Sequence, residues 1–247
     1  MLWSHNPPPQ GLFNPAHERD SCGVGFVASI DGAASHQIVQ WAVQCVCNVT
    51  HRGAVSADGK SGDGAGIITQ IPQRLFAKVL EGLKAEPVAS GDLGVGVIFL
   101  PQEARSAAVA QRIVEAEITR GGAGLLGWRE VPVDPAVLGE KARQTLPAIL
   151  HVLMARPASI PTEEFERRLF LVRRRIERAW EQARLADCYI PSCSSRTIVY
   201  KGLLVAPQLA LFYPDLADAD FTSALAVFHQ RYSTNTFPNW FLAQPFR

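Results

Sequence analysis

Cys22 is the residue whose position could support nucleophilic catalysis. It stands between Ser21 and Gly23, where a proline-containing leader (residues 1–21) meets an apolar run. If the leader is removed, Cys22 carries the free α-amine of the chain, whose reference pKa is about 7.7–8.0. An amine of that pKa beside the thiol can accept its proton and activate the sulfur. A cysteine that opens a buried strand also fits a packing role, so the residue types alone leave both roles open.

The glycine-rich segment 51–66 offers a different chemistry, phosphate binding. Residues 54–61 match the Walker pattern except that Ala54 replaces the first glycine, and Lys60 would then contact the phosphates. That motif works between a strand and a following helix, whereas here a predicted helix precedes the loop and a predicted strand follows it. The context favours a structural glycine loop, with an NTP-binding module that uses Lys60 as a more remote alternative.

The remaining cysteines do not have the spacing of a metal knuckle. One residue separates Cys45 from Cys47, and four separate Cys188 from Cys193, so neither pair is C-x₂-C. Cys45 also lies on an apolar helical stripe, which is typical of a core thiol. Arg231 follows an apolar run near the end of the chain. A lone arginine on a strand is usually a surface residue, so the pattern alone assigns it no function.

Hydrophobic periodicity predicts the elements that must position these residues. Strands are predicted at 22–30 (buried on both faces), 67–71, 93–100, 150–154, 189–194 paired with 197–200, and 224–233. Helices are predicted from a cap at Ser35, over 104–119 and from Asp134-Pro135. The ambiguous stretch 162–186 is divided into a strand near 168–174 and a helix after it. Strands interleaved with helices give a mixed α/β class.

Composition excludes several classes of protein. The 247 residues carry 24 Lys+Arg against 23 Asp+Glu, a formal net charge of +1, which gives no electrostatic argument for nucleic acid or an anionic membrane. A hydrophobic share of 47% argues against disorder, and no apolar run is long enough for a membrane span. The amino end lacks a secretory signal, and the five irregularly spaced cysteines suit a reducing cytoplasm.

Five motifs, taken together, resemble one known family. They are GLFNPAHERDSCGVGFVA at 11–28, HRGA with AD and GDGAGI within 51–67, GWREVPV at 127–133, SRTIVYKG at 195–202 and HQRYSTNTFP at 229–238. In this order they resemble the large subunit of glutamate synthase. The resemblance implies a class II (type-2) glutamine amidotransferase domain of the Ntn-hydrolase fold. That fold is α+β, a four-layer α/β/β/α sandwich, with residues 1–21 as a propeptide and 22–247 as a partial domain.

The resemblance also implies a set of site residues. Cys22 would be the nucleophile and its freed amine the base, while Arg231 would hold the α-carboxylate of L-glutamine through its guanidinium fork. Arg52 belongs to the same site, and Thr234 would line it. The thiolate would attack the side-chain amide, ammonia would leave, and water would hydrolyse the thioester to glutamate.

Other parts of the family's chemistry are expected outside this chain. In the whole enzyme, ammonia would aminate 2-oxoglutarate at an FMN-containing domain supplied with electrons through an iron–sulfur cluster; neither cofactor is expected in this chain. A small NADPH-oxidising subunit or ferredoxin would be the electron-donating partner. The family continues past Arg247 with an Asn-Gly pair that supplies the oxyanion hole. We therefore expect an incomplete sandwich with little activity alone, or else a non-catalytic fragment that needs a partner to supply those donors.

Overall fold

The computed structural model describes residues 11, 22–56, 58–233 and 236–246. The strands are β1 Gly23–Ala28, β2 Ala65–Gln70, β3 Leu93–Leu100, β4 Gly124–Glu130, β5 Ala148–Ala155, β6 Tyr189–Ser194, β7 Thr197–Gly202 and β8 Leu225–Gln230. The α-helices are α1 His36–Asn48, α2 Gln73–Gly82, α3 Ala104–Arg120, α4 Glu140–Gln144, α5 Thr162–Gln182 and α6 Leu209–Phe212. Short 3₁₀ turns occupy Thr50–Arg52, Pro135–Val137, Ala206–Gln208 and Pro214–Ala217.

The strands form two antiparallel sheets. Sheet 1 has the order β1-β8-β2-β7, and sheet 2 has the order β4-β5-β3-β6. In sheet 1, Gln230 at the end of β8 pairs with Gly23 on one side and with Ala65 on the other. The beginning of β1, the beginning of β2 and the end of β8 therefore meet at one end of sheet 1, which is the end where Cys22 and Arg231 lie.

Helix α1 covers one face of sheet 1. The hydroxyl of Ser35 accepts a hydrogen bond from the Ile38 N–H, the predicted N-cap. The buried stripe of α1 packs in one core with the sheet; its members are Ile38, Val39, Ala42 and Val46. The other face of β1 is open, since Val24 and Phe26 are 63% and 71% exposed. The prediction that β1 is buried on both faces was wrong, because the described residues cover only the face that α1 and the core occupy.

Helix α5 replaces the strand predicted at 168–174. It runs without interruption over Thr162–Gln182, and its buried residues recur at helical spacing: Phe165, Leu169, Val172, Ile176 and Trp180. The apolar run at 169–172 misled the prediction because Phe170 and Leu171 are half-exposed on the outer face of the helix. Together with α3, this helix covers one face of sheet 2 and encloses a second core.

Strands β6 and β7 connect the sheets instead of pairing with each other. β6 pairs with β3 in sheet 2, and β7 pairs with β2 in sheet 1, so the predicted strand pair was wrong. Serine hydroxyls supply acceptors at the junction: Ser192 Oγ accepts from the Val199 N–H, and Ser194 Oγ from the Thr197 N–H. These bonds satisfy backbone donors at a corner where the chain changes sheets.

The class predicted from the resemblance is confirmed. Two antiparallel sheets flanked by helices make an α+β protein, consistent with an Ntn-hydrolase amidotransferase domain. Within the described residues, no helix is both long enough and apolar enough to cross a membrane.

Candidate active site

Cys22 lies immediately before β1 and is half-buried. Its sulfur accepts a hydrogen bond from the Tyr232 N–H at 3.3 Å and lies 3.7 Å from the carbonyl oxygen of the same residue. The chain that leaves β8 therefore passes directly beside the thiol. Contacts with one polar backbone unit, in a half-buried position, are unlike those of a thiol enclosed by apolar side chains.

Arg231 is held next to this contact by its own backbone and side chain. Its N–H donates to the Gly64 carbonyl at 2.8 Å, and its guanidinium donates to the Asp63 carbonyl at 3.3 Å and to the Thr236 hydroxyl. The residue is only 7% exposed. The carboxylate of Asp63 in turn accepts from the Ser233 N–H. The turn before β2 is thereby fastened to the segment that follows β8.

Arg52 reaches the same end of β1 from the other side. It ends the turn Thr50–Arg52 and is half-buried. A Cβ atom placed on Gly23 would lie only 3.1 Å from the Arg52 Cβ, so the absence of a side chain at Gly23 lets the turn pack against β1. Cys22 thus has both predicted arginines close to it in the fold. Thr234, the fourth predicted site residue, lies outside the described residues.

Gln230, the residue before Arg231, is a buried polar residue that sequence reasoning did not single out. It is fully buried, and its amide oxygen accepts from the Ala206 N–H at 3.0 Å. A Cβ atom on Gly53 would lie 2.0 Å from the Gln230 Nε2, so glycine at that position lets the chain after Arg52 approach β8 without displacing the Gln230 side chain. The sequence signal for Gln230 was its position within the motif His229-Gln230-Arg231. The family resemblance gave a role only to Arg231.

The loop 54–61 is not a phosphate loop. The carboxylate of Asp58 accepts from the Lys60 N–H at 3.0 Å and from both the N–H and the hydroxyl of Ser61, at 2.8 and 2.6 Å. The Ser61 hydroxyl and backbone bonds and the Lys60 bond lower the pKa of Asp58 to about 2, so an anion already occupies these amides. The element that follows is strand β2, whereas phosphate binding needs a helix N-terminus there.

A row of three cross-strand neighbours lies one step further into sheet 1. Gly66 of β2 pairs with His229 of β8 and with Lys201 of β7. Burial and the charge of Arg231 lower the pKa of His229, and its Nε2 is buried without a hydrogen-bond partner in the described part of the chain. Burial, followed by the charges of Arg173 and Arg231, lowers the pKa of Lys201 to about 7. The charge of Arg231 therefore acts on both neighbours.

The described residues contain no group of three or more His, Cys, Asp or Glu side chains that could hold a metal ion. The five cysteines are all free thiols.

Comparison with known proteins shows the family of the chain. The sequence profile of the class-II glutamine amidotransferases matches residues 22–247, and the chain belongs to that family. Among individual proteins, it is 46% identical over 236 residues to the large chain of NADPH glutamate synthase from Azospirillum brasilense, covering 95% of this chain and 16% of the relative. It is 44% identical over 231 residues to ferredoxin-dependent glutamate synthase 2 from Synechocystis, covering 93% of this chain and 14% of the relative. It is also 37% identical to the Bacillus subtilis NADPH glutamate synthase large chain over 248 residues, which is 100% of this chain and 16% of the relative.

Proposed function

We propose that this chain is the glutaminase part of a larger enzyme, which releases ammonia from L-glutamine with Cys22 as the nucleophile. One observation carries the proposal: the Cys22 sulfur contacts the backbone of Tyr232, the residue that directly follows the nearly buried guanidinium of Arg231. A thiol and a carboxylate-binding fork at one sheet end are the two groups that attack on an amino-acid side chain requires.

The reaction needs a base, and we propose that the base is the α-amine of Cys22. Cleavage between Ser21 and Cys22 would free this amine, which then takes the thiol proton. The thiolate attacks the side-chain amide carbon, the C–N bond breaks, and the departing nitrogen takes the proton and leaves as ammonia. Water then attacks the γ-glutamyl thioester, which releases glutamate and returns the proton to the sulfur.

Substrate binding is assigned to the two arginines. A guanidinium has five N–H donors, and the described partners of Arg231 use its side chain at two places, the Asp63 carbonyl and the Thr236 hydroxyl. The remaining donors suit the α-carboxylate of L-glutamine. Arg52, whose side chain has no hydrogen bond or ion pair among the described residues, would be the second cation, and Thr234 would line the same site.

The wider activity is proposed from the relatives. The chain spans about 14–16% of the length of the curated relatives that it matches. We propose that its ammonia is delivered to a glutamate synthase reaction that aminates 2-oxoglutarate, with FMN and an iron–sulfur cluster held outside residues 22–247. The names of the relatives support either a small NADPH-oxidising subunit or ferredoxin as a partner. Five free thiols support a reducing, cytoplasmic location.

The test uses a diazoketone analogue of L-glutamine, which alkylates a nearby thiolate with loss of N₂. A chain that starts at Cys22 is compared with one that keeps residues 1–21, and peptide mass spectrometry locates the label. We expect fast labelling at Cys22 in the trimmed chain only, with protection by L-glutamine but not by D-glutamine. Release of ammonia from L-glutamine is measured on the same preparations and should be lost in Cys22→Ala.

Cys188→Ala is the matched control, since Cys188 is also half-buried and free. Burial and the charge of Asp187 raise the pKa of the Cys188 thiol to about 11, so it should not compete for the label. Equal labelling of Cys22 with residues 1–21 in place would refute the α-amine as the base. Labelling at another cysteine would refute Cys22 as the nucleophile. Specific labelling without ammonia release would instead support a fragment that needs oxyanion donors from a partner.

A further inference from the structure

Lys201 is a buried cation that the proposed reaction does not use. It lies on β7 and is 1% exposed. Its ammonium donates to the carbonyls of Phe241 and Ala243 at 3.0 and 2.7 Å and to the Tyr189 hydroxyl at 3.3 Å. The rings of Tyr189 and Phe246 lie 4.7 and 4.5 Å from its nitrogen. In the described part of the chain it has no carboxylate partner, so its ligands are carbonyls and aromatic faces.

Two of these acceptors belong to the C-terminal segment 236–246. This segment crosses sheet 1 where the sheet has glycines: a Cβ atom on Gly66 would lie 2.6 Å from the Gln244 carbonyl oxygen, and one on Gly64 would lie 2.8 Å from the Ala243 Cβ. Gly64 is also the residue whose carbonyl accepts the Arg231 N–H. Gly64 therefore contacts both the C-terminal segment and the backbone of Arg231.

The near end of the same segment contacts the site directly. Thr236 accepts a hydrogen bond from the Arg231 guanidinium, and its carbonyl accepts from the Ser233 hydroxyl. The loop after β8 is thus held at one end by Thr236 and at the other by Ala243. The Trp240 indole N–H donates to the Ala142 carbonyl, which is a further anchor for this segment outside sheet 1.

We propose that Lys201 is a positioning residue that clamps residues 241–246 onto sheet 1 and thereby holds Thr236 and the Arg231 guanidinium in their substrate-binding arrangement. This inference rests on the proposed function for its effect on glutamine, while the clamp itself is independent of it. The clamp works in both protonation states. The charged amine donates to all three acceptors, whereas a neutral amine donates to the two carbonyls and accepts from the Tyr189 hydroxyl.

Hydrogen–deuterium exchange of the purified chain tests the clamp. In Lys201→Met, which keeps an unbranched side chain one atom shorter and without a donor, the backbone N–H groups within 241–246 should exchange roughly tenfold faster, the loss of about one net hydrogen bond. Phe246→Ala changes a half-exposed position outside the buried core, and it should give a smaller increase in the same peptide. Lys84→Met is the control, since Lys84 is exposed and distant in sequence; its exchange pattern should match the wild type.

The diazoketone analogue supplies the second readout. In Lys201→Met, the concentration that half-saturates labelling of Cys22 should rise several-fold, while the maximal labelling rate stays near that of the wild type, because the clamp acts through Arg231 and not on the sulfur. Unchanged exchange in 241–246, or faster exchange spread evenly over the chain, would overturn the clamp. A looser segment with unchanged half-saturation would overturn its role in positioning Arg231. Failure of the wild type to label at all, with the segment loosened in the variant, would overturn the proposed function and not the clamp.

Discussion

The guanidinium of Arg231 combines near-complete burial with donors that the described protein acceptors only partly use. In Arg231→Lys the charge remains but the planar fork is lost, so two parallel bonds to a carboxylate become one. Hydrogen bonds to charged groups contribute about 1.5–3 kcal/mol each. We therefore predict that half-saturation by L-glutamine or its diazoketone analogue rises roughly 10- to 100-fold.

The concentration dependence of Cys22 labelling measures this prediction. Arg175→Lys is the matched control, because Arg175 is an exposed residue of α5 remote in sequence from the site, and it should not change the half-saturating concentration. If Arg231→Lys bound the analogue as well as the wild type, the carboxylate assignment would be wrong. Arg52 would then be the remaining candidate.

At the scale of elements, close approach of helices α3 and α5 depends on a glycine. A Cβ atom on Gly121, which follows α3, would lie 2.3 Å from the Val172 Cγ2 of α5. The backbone of Gly121, with φ −73° and ψ −8°, suits any residue, so only the collision opposes alanine there. Overpacking costs about 1–3 kcal/mol, whereas the entropy gained by replacing glycine is about 0.4–1 kcal/mol. The overpacking cost should therefore exceed the entropy gain, so that alanine at position 121 destabilises the fold.

Gly121→Ala is therefore predicted to lower the free energy of unfolding by about 1–2 kcal/mol in urea titrations. Gly82→Ala should have the opposite sign, since Gly82 ends α2 and a Cβ atom there meets nothing within 4 Å. Alanine in a helix is favoured over glycine by about 0.5–1 kcal/mol. A stabilising Gly121→Ala would mean that α3 and α5 are not packed as described.

Sequence periodicity located most of these elements but not their partners. Strand β3 at 93–100 and helix α3 were predicted almost to the residue, because β3 is a continuous apolar run of strand length, α3 has a helical period, and glycine or proline borders each element. Helix α5 was misread since four apolar residues in a row match a buried strand until their exposure is known. The pairing of β6 with β3 and of β7 with β2 joins segments far apart in the sequence, and local periodicity does not specify such partners.

The site was predicted through its motifs, and the supporting residues were not. Cys22, Arg52 and Arg231 are far apart in the sequence, and only the family resemblance placed them together. Gln230 and Lys201 act by bonding to backbone carbonyls and amides of distant segments. No residue type or spacing encodes such a contact, because the partner is a backbone carbonyl or N–H group of the kind that nearly every residue carries.

At the scale of the whole molecule, a buried ion pair connects the two sheets. Arg129 of β4 donates two hydrogen bonds to Asp215, both at 2.7 Å, and Tyr200 of β7 donates a third at 2.7 Å. Burial raises the pKa of Asp215, but the bonds and charge of Arg129 outweigh it, so the pKa is lowered overall. The neighbouring His151 has a pKa lowered to about 3, mainly by burial, and is neutral at physiological pH. Removing one partner of such a pair leaves an uncompensated buried charge.

These groups make the stability of the molecule rise with pH in two separate pH windows. A carboxyl with a depressed folded pKa stabilises above its unfolded pKa of about 3.9 and loses that contribution as the pH falls through the folded value. Lys201 acts in a higher pH window, because its folded pKa is about 7 against an ordinary value of 10.5. Between these two values the unfolded chain binds more protons than the folded one, so stability rises with pH across that window.

We therefore predict that the difference in unfolding free energy between the wild type and Lys201→Met moves in favour of the wild type from pH 7 towards pH 10. One proton sets the maximal slope at about 1.4 kcal/mol per pH unit. Urea titrations at several pH values measure the difference, in which titrations common to both proteins cancel. Lys84→Met, measured in parallel at an exposed lysine, is the control for the general effect of replacing a lysine by methionine. A flat difference for Lys201→Met would show that this amine keeps an ordinary pKa, and therefore that water reaches it beneath the 241–246 segment.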